Sequence, residues 1–568
     1  MQDLHLLPLP RLLSLPRLLP ILLLLLPGAA TADEGCDHPP NDLEHVDIST
    51  IDTQAGRLGR IDFPTSGTPE AQEYFLHGVL NLHSFEYLDA RAAFERALEI
   101  EPGFAMAAWG LAMSYNHPIW STQSFEGARA ALERFAPTPG ERLALAPTER
   151  EKGYLQTVEV LYGEGNKEER DIAYRDTLAE LSQRFPDDLD IAAFHSLAIL
   201  GTSHDGRDIA TYMQAAAVAE EVFAKNPEHP GAAHYLIHSY DDPVHAPLGM
   251  RAARVYAEIA PAATHALHMP SHIFLALGLW DETATSNEDS WQASLDRVER
   301  DDLEIDRKSF HALLWLEYAY LQQGRYADAR KLLSIMEEDT AASGSEMTRN
   351  HLAYMRAHYL LETEAWDDEI ASPDLDGLQL SPAATVLYTD GIHALHRGDI
   401  KAAEELLAAI KRRREEALAE DGERETENGF VRYGRVRTRS TDIMERQLDA
   451  RIHLARGKTD EALELLSAAM ELEDDARFGF GPPVPPKPSL ELFGEVLADL
   501  GRYDEAREVL EKSLGRNPRR ARTLSTLERA AVGTEDHELA MRTHETLEAM
   551  WHLADRRSDQ ETSAPASR

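Results

Sequence analysis

The sequence predicts an all-α fold, an α-solenoid of antiparallel helix pairs with diverged units, and three observations predict it. A glycine turn recurs along the chain, as Gly278-Leu279-Trp280, Gly324-Arg325-Tyr326, Gly398-Asp399-Ile400, Gly457-Lys458-Thr459 and Gly501-Arg502-Tyr503. In the last four, an alanine follows at one constant offset: Ala329, Ala403, Ala462 and Ala506. No stretch shows sustained β-branched alternation bounded by hairpin turns, so no sizeable sheet is expected. Finally, one cysteine in 568 residues excludes an intramolecular disulfide framework, and stability has to come from helix packing.

The first complete unit shows what the turns belong to. Tyr74 and Gly78 are followed by Tyr87, Ala90, Phe94, Ala97 and a closing Pro102. Small residues let two helices approach, aromatics fill the space between units, and proline ends the second helix. These offsets resemble the helix-turn-helix unit of tetratricopeptide repeats, about 34 residues long. The unit with Gly494, Gly501 and Pro518 is nearly complete, whereas the interval from Gly324 to Gly398 holds diverged units and insertions.

The elements follow in order. Residues 1–32 read as a secretory signal peptide: basic Arg11 and Arg17, an apolar run from Ile21 to Leu26, then Ala30-Thr31-Ala32 as a cleavage site. Residues 33–70 are polar and turn-rich, an N-terminal arm. Residues 71–300 form a histidine-rich half and 301–550 a C-terminal half, interrupted by the proline-rich segment 478–488, which cannot be helical. Residues 551–568 lack apolar periodicity and read as a disordered tail.

Composition narrows the function. Lys and Arg total 57 against 99 Asp and Glu, a formal charge of −42, which repels nucleic acid and anionic membrane surfaces. No nucleic-acid partner is expected. Cys36 follows Asp33-Glu34-Gly35 rather than a small apolar run, so no lipid anchor is expected, and the chain reads as exported, to the periplasm or beyond. The nucleophile-elbow, H-E-x-x-H, phosphate-loop and dinucleotide motifs are all absent.

The chemistry concentrates in histidines. Seven of 24 lie between His229 and His272, where an even spread puts about two. His234/His238 and His268/His272 are each four apart, the spacing that puts two side chains on one helical face. The resemblance implies that ligand-contacting side chains come from the second, fifth, ninth, twelfth and thirteenth places of a unit, facing a concave groove. Counted from Pro227 and Pro261, His234 and His268 take the fifth place and His238 and His272 the ninth. His265 and His311 reach second places, Asp241 and Asp242 the twelfth and thirteenth of their unit, and His83 and His117 thirteenth places; His77 and His195 fall on packing places.

Neutral imidazole ligates Cu, Zn and Fe alike, so a pair from each of two adjacent helices predicts four nitrogens around one ion of a metal that the sequence does not distinguish. Asp241 or Asp242 would orient an imidazole or ligate. Pro270 weakens the second pair, because a helix starting there leaves His268 outside it. Glu491 and Glu495 take fifth and ninth places after the proline-rich segment and would join the site if that segment curls over the groove, although two glutamates four apart are more often a solvated face. Trp109, Tyr115 and Trp120 read as packing between units. Two functions stay open: a metal-binding solenoid, with catalysis a further step, and a metal-free scaffold for peptides or partner proteins, which the resemblance implies.

Overall fold

The computed structural model describes residues 57–204, 206–428, 432–474 and 479–555. The segment 1–32 read as a signal peptide, Cys36, the first part of the expected arm, Phe478 and the residues from 556 on lie outside them. The described residues form an α-solenoid of antiparallel helix pairs; their only strands are the two-residue pair Asn116–His117 and Thr122–Gln123. No described helix is long and apolar enough to cross a membrane.

The repeat chemistry is visible in the glycines. In the pair Ser489–Asp499 and Tyr503–Arg516, a Cβ on Gly494 would lie 2.5 Å from Leu510 side-chain carbons, and one on Gly78 would meet the Phe94 ring at 2.6 Å. These close approaches are why the small residue recurs. Between the helices the chain passes through left-handed backbone at Gly278, Gly324, Gly398, Gly457 and Gly501, with φ between 66° and 75°. In the first unit the same turn is made by Phe85 at φ 57° and in the last by Glu535 at φ 58°.

Residues 57–70 are a strap rather than a repeat. Leu58 and Phe63 are buried, the Arg60 N–H donates to Glu228 O at 2.9 Å, and Asn226 Nδ2 donates back to Arg60 O at 2.7 Å. At the other end, two hydrogen bonds tie residues 551–555 back to the array: Trp551 Nε1 donates to Gln322 O at 3.1 Å and the Asp555 N–H to Gly324 O.

The solenoid coils tightly enough for distant units to touch. His83, at the end of Pro69–His83, hydrogen-bonds Tyr235 on Pro230–Tyr240 at 2.9 Å, and Arg297 reaches Glu86 at 3.1 Å and Asp89 at 2.9 Å. Further on, Trp280 Nε1 donates to Arg519 O at 2.9 Å. One hydrophobic cluster runs from Leu58 to Ala276 and a second from Ala284 to Ile452; Phe480 packs against both. The groove expected from the sequence is therefore largely a buried interior along the histidines.

Candidate metal centre

Three segments carry the imidazoles. Pro230–Tyr240 opens with proline at its first turn and is capped by His229, whose Nδ1 accepts from the Ala232 N–H at 3.2 Å. Its period places His234 and His238 on one face, ring centroids 4.9 Å apart. The second segment is broken as Pro270 requires: Thr264–His268 ends, Met269 links, and Pro270–Ala276 begins. Met269 keeps helical angles (φ −54°, ψ −34°), so His268 and His272 still meet, Nε2 to Nε2 at 3.1 Å. The third is the start of Phe310–Gln322, which brings His311 to His268 with ring centroids 4.4 Å apart.

The four histidines singled out by spacing do not surround one point. They divide between two trios, His234/His238/His265 and His268/His272/His311, whose ligand atoms lie within 4.8 Å of one another inside each trio. In the first, His265 Nε2 is 3.2 Å from His234 Nε2. The split follows from the offset between neighbouring units, which pairs His234 with the start of the next segment rather than with its equivalent position. His238, Asp241 and His272 form a third group at the seam.

Hydrogen bonds fix the tautomers. His234 Nδ1 donates to His83 O at 2.7 Å, and His272 Nδ1 donates to the Asp241 carboxylate at 3.1 Å. His268 Nδ1 faces Asn287 Oδ1 at 2.6 Å, and Asn287 Nδ2 donates to Thr283 O, which orients the amide so that its oxygen accepts. Each of these rings thus carries its proton on Nδ1 and presents a bare Nε2 lone pair to the array. Two such lone pairs at 3.1 Å repel unless a cation lies between them. Tetrahedral coordination with Zn–N bonds of about 2.0–2.1 Å puts neighbouring nitrogens about 3.3 Å apart, close to both Nε2 contacts. His238 Nε2 is buried with no hydrogen-bond partner, a further unsatisfied donor aimed into the first trio.

A neighbouring cluster shows the contrast. His83, Asp190 and His229 also lie within ligating distance of one another, but His229 Nδ1 already accepts at the helix cap, leaving its proton on Nε2, 3.4 Å from Asp190 Oδ1. His83 Nε2 faces the same oxygen at 3.0 Å and its Nδ1 faces Tyr235 OH. Both nitrogens of His83 are engaged, so the cluster ties the end of the first helix to Pro230–Tyr240, although His229 Nε2 itself makes no hydrogen bond.

The surroundings are apolar. His234, His238, His268 and His272 are at most 1% exposed. Phe85 covers the first trio, its ring 4.2 Å from His234 between centroids; Trp315 lies 4.6 Å from His272 and 4.8 Å from His268; Phe480 lies 5.1 Å from His272. Burial pushes the His234 and His268 imidazoles well below the ordinary histidine value, and lowers His272 despite its bond to Asp241. Burial alone would raise the Asp241 carboxyl, but Arg207, His238 and His272 more than reverse it, so it is an anion. A pocket lined by His117, His265, His268, His311, Arg297 and Lys308 reaches both trios from outside.

The remaining candidates have other places. His117 stacks on Tyr87 with centroids 4.0 Å apart, and Asp242 is held by Arg207 and His245, each at 2.9 Å. The proline-rich segment does curl over the histidines, through Phe480. Glu491 and Glu495 do not join them: Lys487 bridges both, at 2.8 and 2.6 Å, Arg520 binds Glu491 at 2.7 Å, and Arg522 binds Glu495 at 3.3 Å. Asn287 and Arg207, which orient the site, carry no periodic signal in the sequence; neither does Phe85 as a cover, except that it stands where other units have glycine.

Comparison with known proteins finds one repeat unit by sequence and several similar solved structures. A tetratricopeptide-repeat sequence profile matches residues 488–520, the unit built on Gly494 and Gly501. The chain thus carries a tetratricopeptide-repeat unit at 488–520. Among curated proteins no relative matches. Similar solved structures include the human IFIT1 dimer with m7Gppp-AAAA (11% identity, 86% of this chain, 91% of that one, TM-score 0.33). Others are the Cut9-Hcn1 hetero-tetramer of the APC/C (13%, 85% and 94%, 0.27) and yeast Tom70 (11%, 84% and 92%, 0.29).

Proposed function

We propose that this solenoid binds a transition metal through its buried imidazoles. The observation that carries the reading is the His268–His272 contact: both Nδ1 atoms are engaged, by Asn287 and Asp241, and both Nε2 lone pairs converge at 3.1 Å. An all-nitrogen, thiol-free donor set suits zinc, copper or iron. His265, His268 and His311 also line the pocket, which leaves a coordination face for a small ligand, as a catalytic centre needs. With the segment 1–32 read as a signal peptide and a charge of −42, the reading extends to an exported protein with peptide rather than nucleic-acid partners. The metal-free scaffold for peptides or partner proteins is supported by the solenoid of helix pairs and the repeat at 488–520.

The test is metal content. Protein stripped with chelator, incubated with Zn²⁺ or Cu²⁺ and desalted retains stoichiometric metal, and loses it when His268→Gln and His272→Gln are combined with His234→Gln and His238→Gln. Folded protein that retains neither ion contradicts the reading and leaves the scaffold.

A further inference from the structure

The two trios share no residue. Each has its own Nε2 to Nε2 edge, at 3.2 Å in the first and 3.1 Å in the second, and each includes a ring, His265 or His311, that borders the pocket. Between them stands one carboxylate. Asp241 Oδ2 lies 3.1 Å from Nδ1 of His272 in one trio and 3.7 Å from Nδ1 of His238 in the other. Its Oδ1 is bound by Arg207, which is itself fixed on Ser239 O at 2.8 Å and His238 O at 3.3 Å, so the carboxylate is locked to the end of the helix that carries the first trio.

We propose, resting on the metal-binding reading above, that the array takes two ions at once, one in each trio, with Asp241 the positioning residue common to both. A carboxylate behind an imidazole Nδ1–H holds the ring's orientation and makes Nε2 a stronger donor; losing such a partner typically costs ten- to a hundred-fold in metal affinity. The other engaged rings rest on neutral acceptors, His83 O and Asn287 Oδ1. Asp241 is therefore the anion shared by both sites, and its Arg207 partner keeps its charge and place between them. The competing arrangement is a single ion at the seam, ligated by His238, Asp241 and His272. It would have to break the Asp241–His272 hydrogen bond and deprotonate the ring nitrogen that makes it.

The experiment titrates chelator-stripped full-length protein with Co²⁺, following ligand-field absorption, and displaces Co²⁺ with Zn²⁺. Two equivalents bind. His234→Gln with His238→Gln leaves one, and so does His268→Gln with His272→Gln. Asp241→Asn weakens both steps by about ten- to a hundred-fold and shifts both spectra. Because Asp241→Asn also takes one of two carboxylates from buried Arg207, Asn287→Leu serves as a second variant: it frees only His268 and weakens only one step, with thermal melts confirming folded protein in each case. One equivalent that either histidine pair abolishes means the seam site and overturns this inference while leaving metal binding intact. Two equivalents with either step untouched by Asp241→Asn overturn its shared role. No binding of Co²⁺ or Zn²⁺ overturns both readings.

Discussion

Phe85 stands in left-handed backbone, φ 57°, where Gly278, Gly324, Gly398, Gly457 and Gly501 make the same turn. A residue with a Cβ there costs about 1–2 kcal/mol, and the return is a ring, 1% exposed, over His234. Phe85→Gly should therefore destabilise the protein less than Phe85→Ala, by about 1 kcal/mol in chemical denaturation, although glycine is ordinarily the worse substitute. The reverse order would show that the turn carries no strain. Glu317 is the counterpart among titrating groups: both its oxygens are buried without partners, and burial together with nearby Glu362 raises its carboxyl well above 4.5. The unfolded chain ionises at its ordinary value while the folded chain stays protonated, so this group's contribution is intact at low pH and is lost as pH rises above about 4.5. Glu317→Gln should raise the melting temperature at pH 7 and leave it unchanged near pH 4; an equal effect at both would locate the cost elsewhere. At this scale the histidines were legible because residue type and a four-residue spacing act together. Asn287 and Arg207 were not, because one polar residue on a helix has no period, and a tautomer is set by partners far away in sequence.

Among elements, the proline-rich segment and the helix pair after it do two separate things. Phe480 covers the histidines, and Glu491 is a counterion to Arg520, which also binds Glu362 and, at 2.5 Å, Tyr318 OH. All these groups are buried. Arg520→Met leaves buried Glu362 without its ion-pair partner and Glu491 with Lys487 alone, and should cost about 3–5 kcal/mol in unfolding free energy. A loss below about 1 kcal/mol would mean that water screens the network. The spacing of Glu491 and Glu495 placed them correctly on one face of one helix, but their partners come from the next unit and from Lys487, and that pairing depends on superhelical pitch. The break at Pro270 was legible and its consequence was not: the helix restarts there, but Met269 keeps helical angles, so the second pair is not weakened and both histidines stay in register.

For the whole molecule, coiling decides what kind of site the histidines make. The repeat pattern predicts an array and its inner face, and the profile match at 488–520 falls on the unit whose glycines and proline are most complete. It does not predict that His83 will reach Tyr235 or Trp280 reach Arg519, contacts that turn an open groove into an interior. With a formal charge of −42, self-repulsion acts against that closure, and added monovalent salt should raise the melting temperature. A flat or falling dependence would show that paired charges already offset it. The most direct measurement is metal-edge X-ray absorption of the zinc-loaded protein. Imidazole nitrogens at about 2.0 Å, three per ion, with their outer-shell ring scattering, are the predicted result; a shell dominated by oxygen, or no retained zinc, would contradict the account.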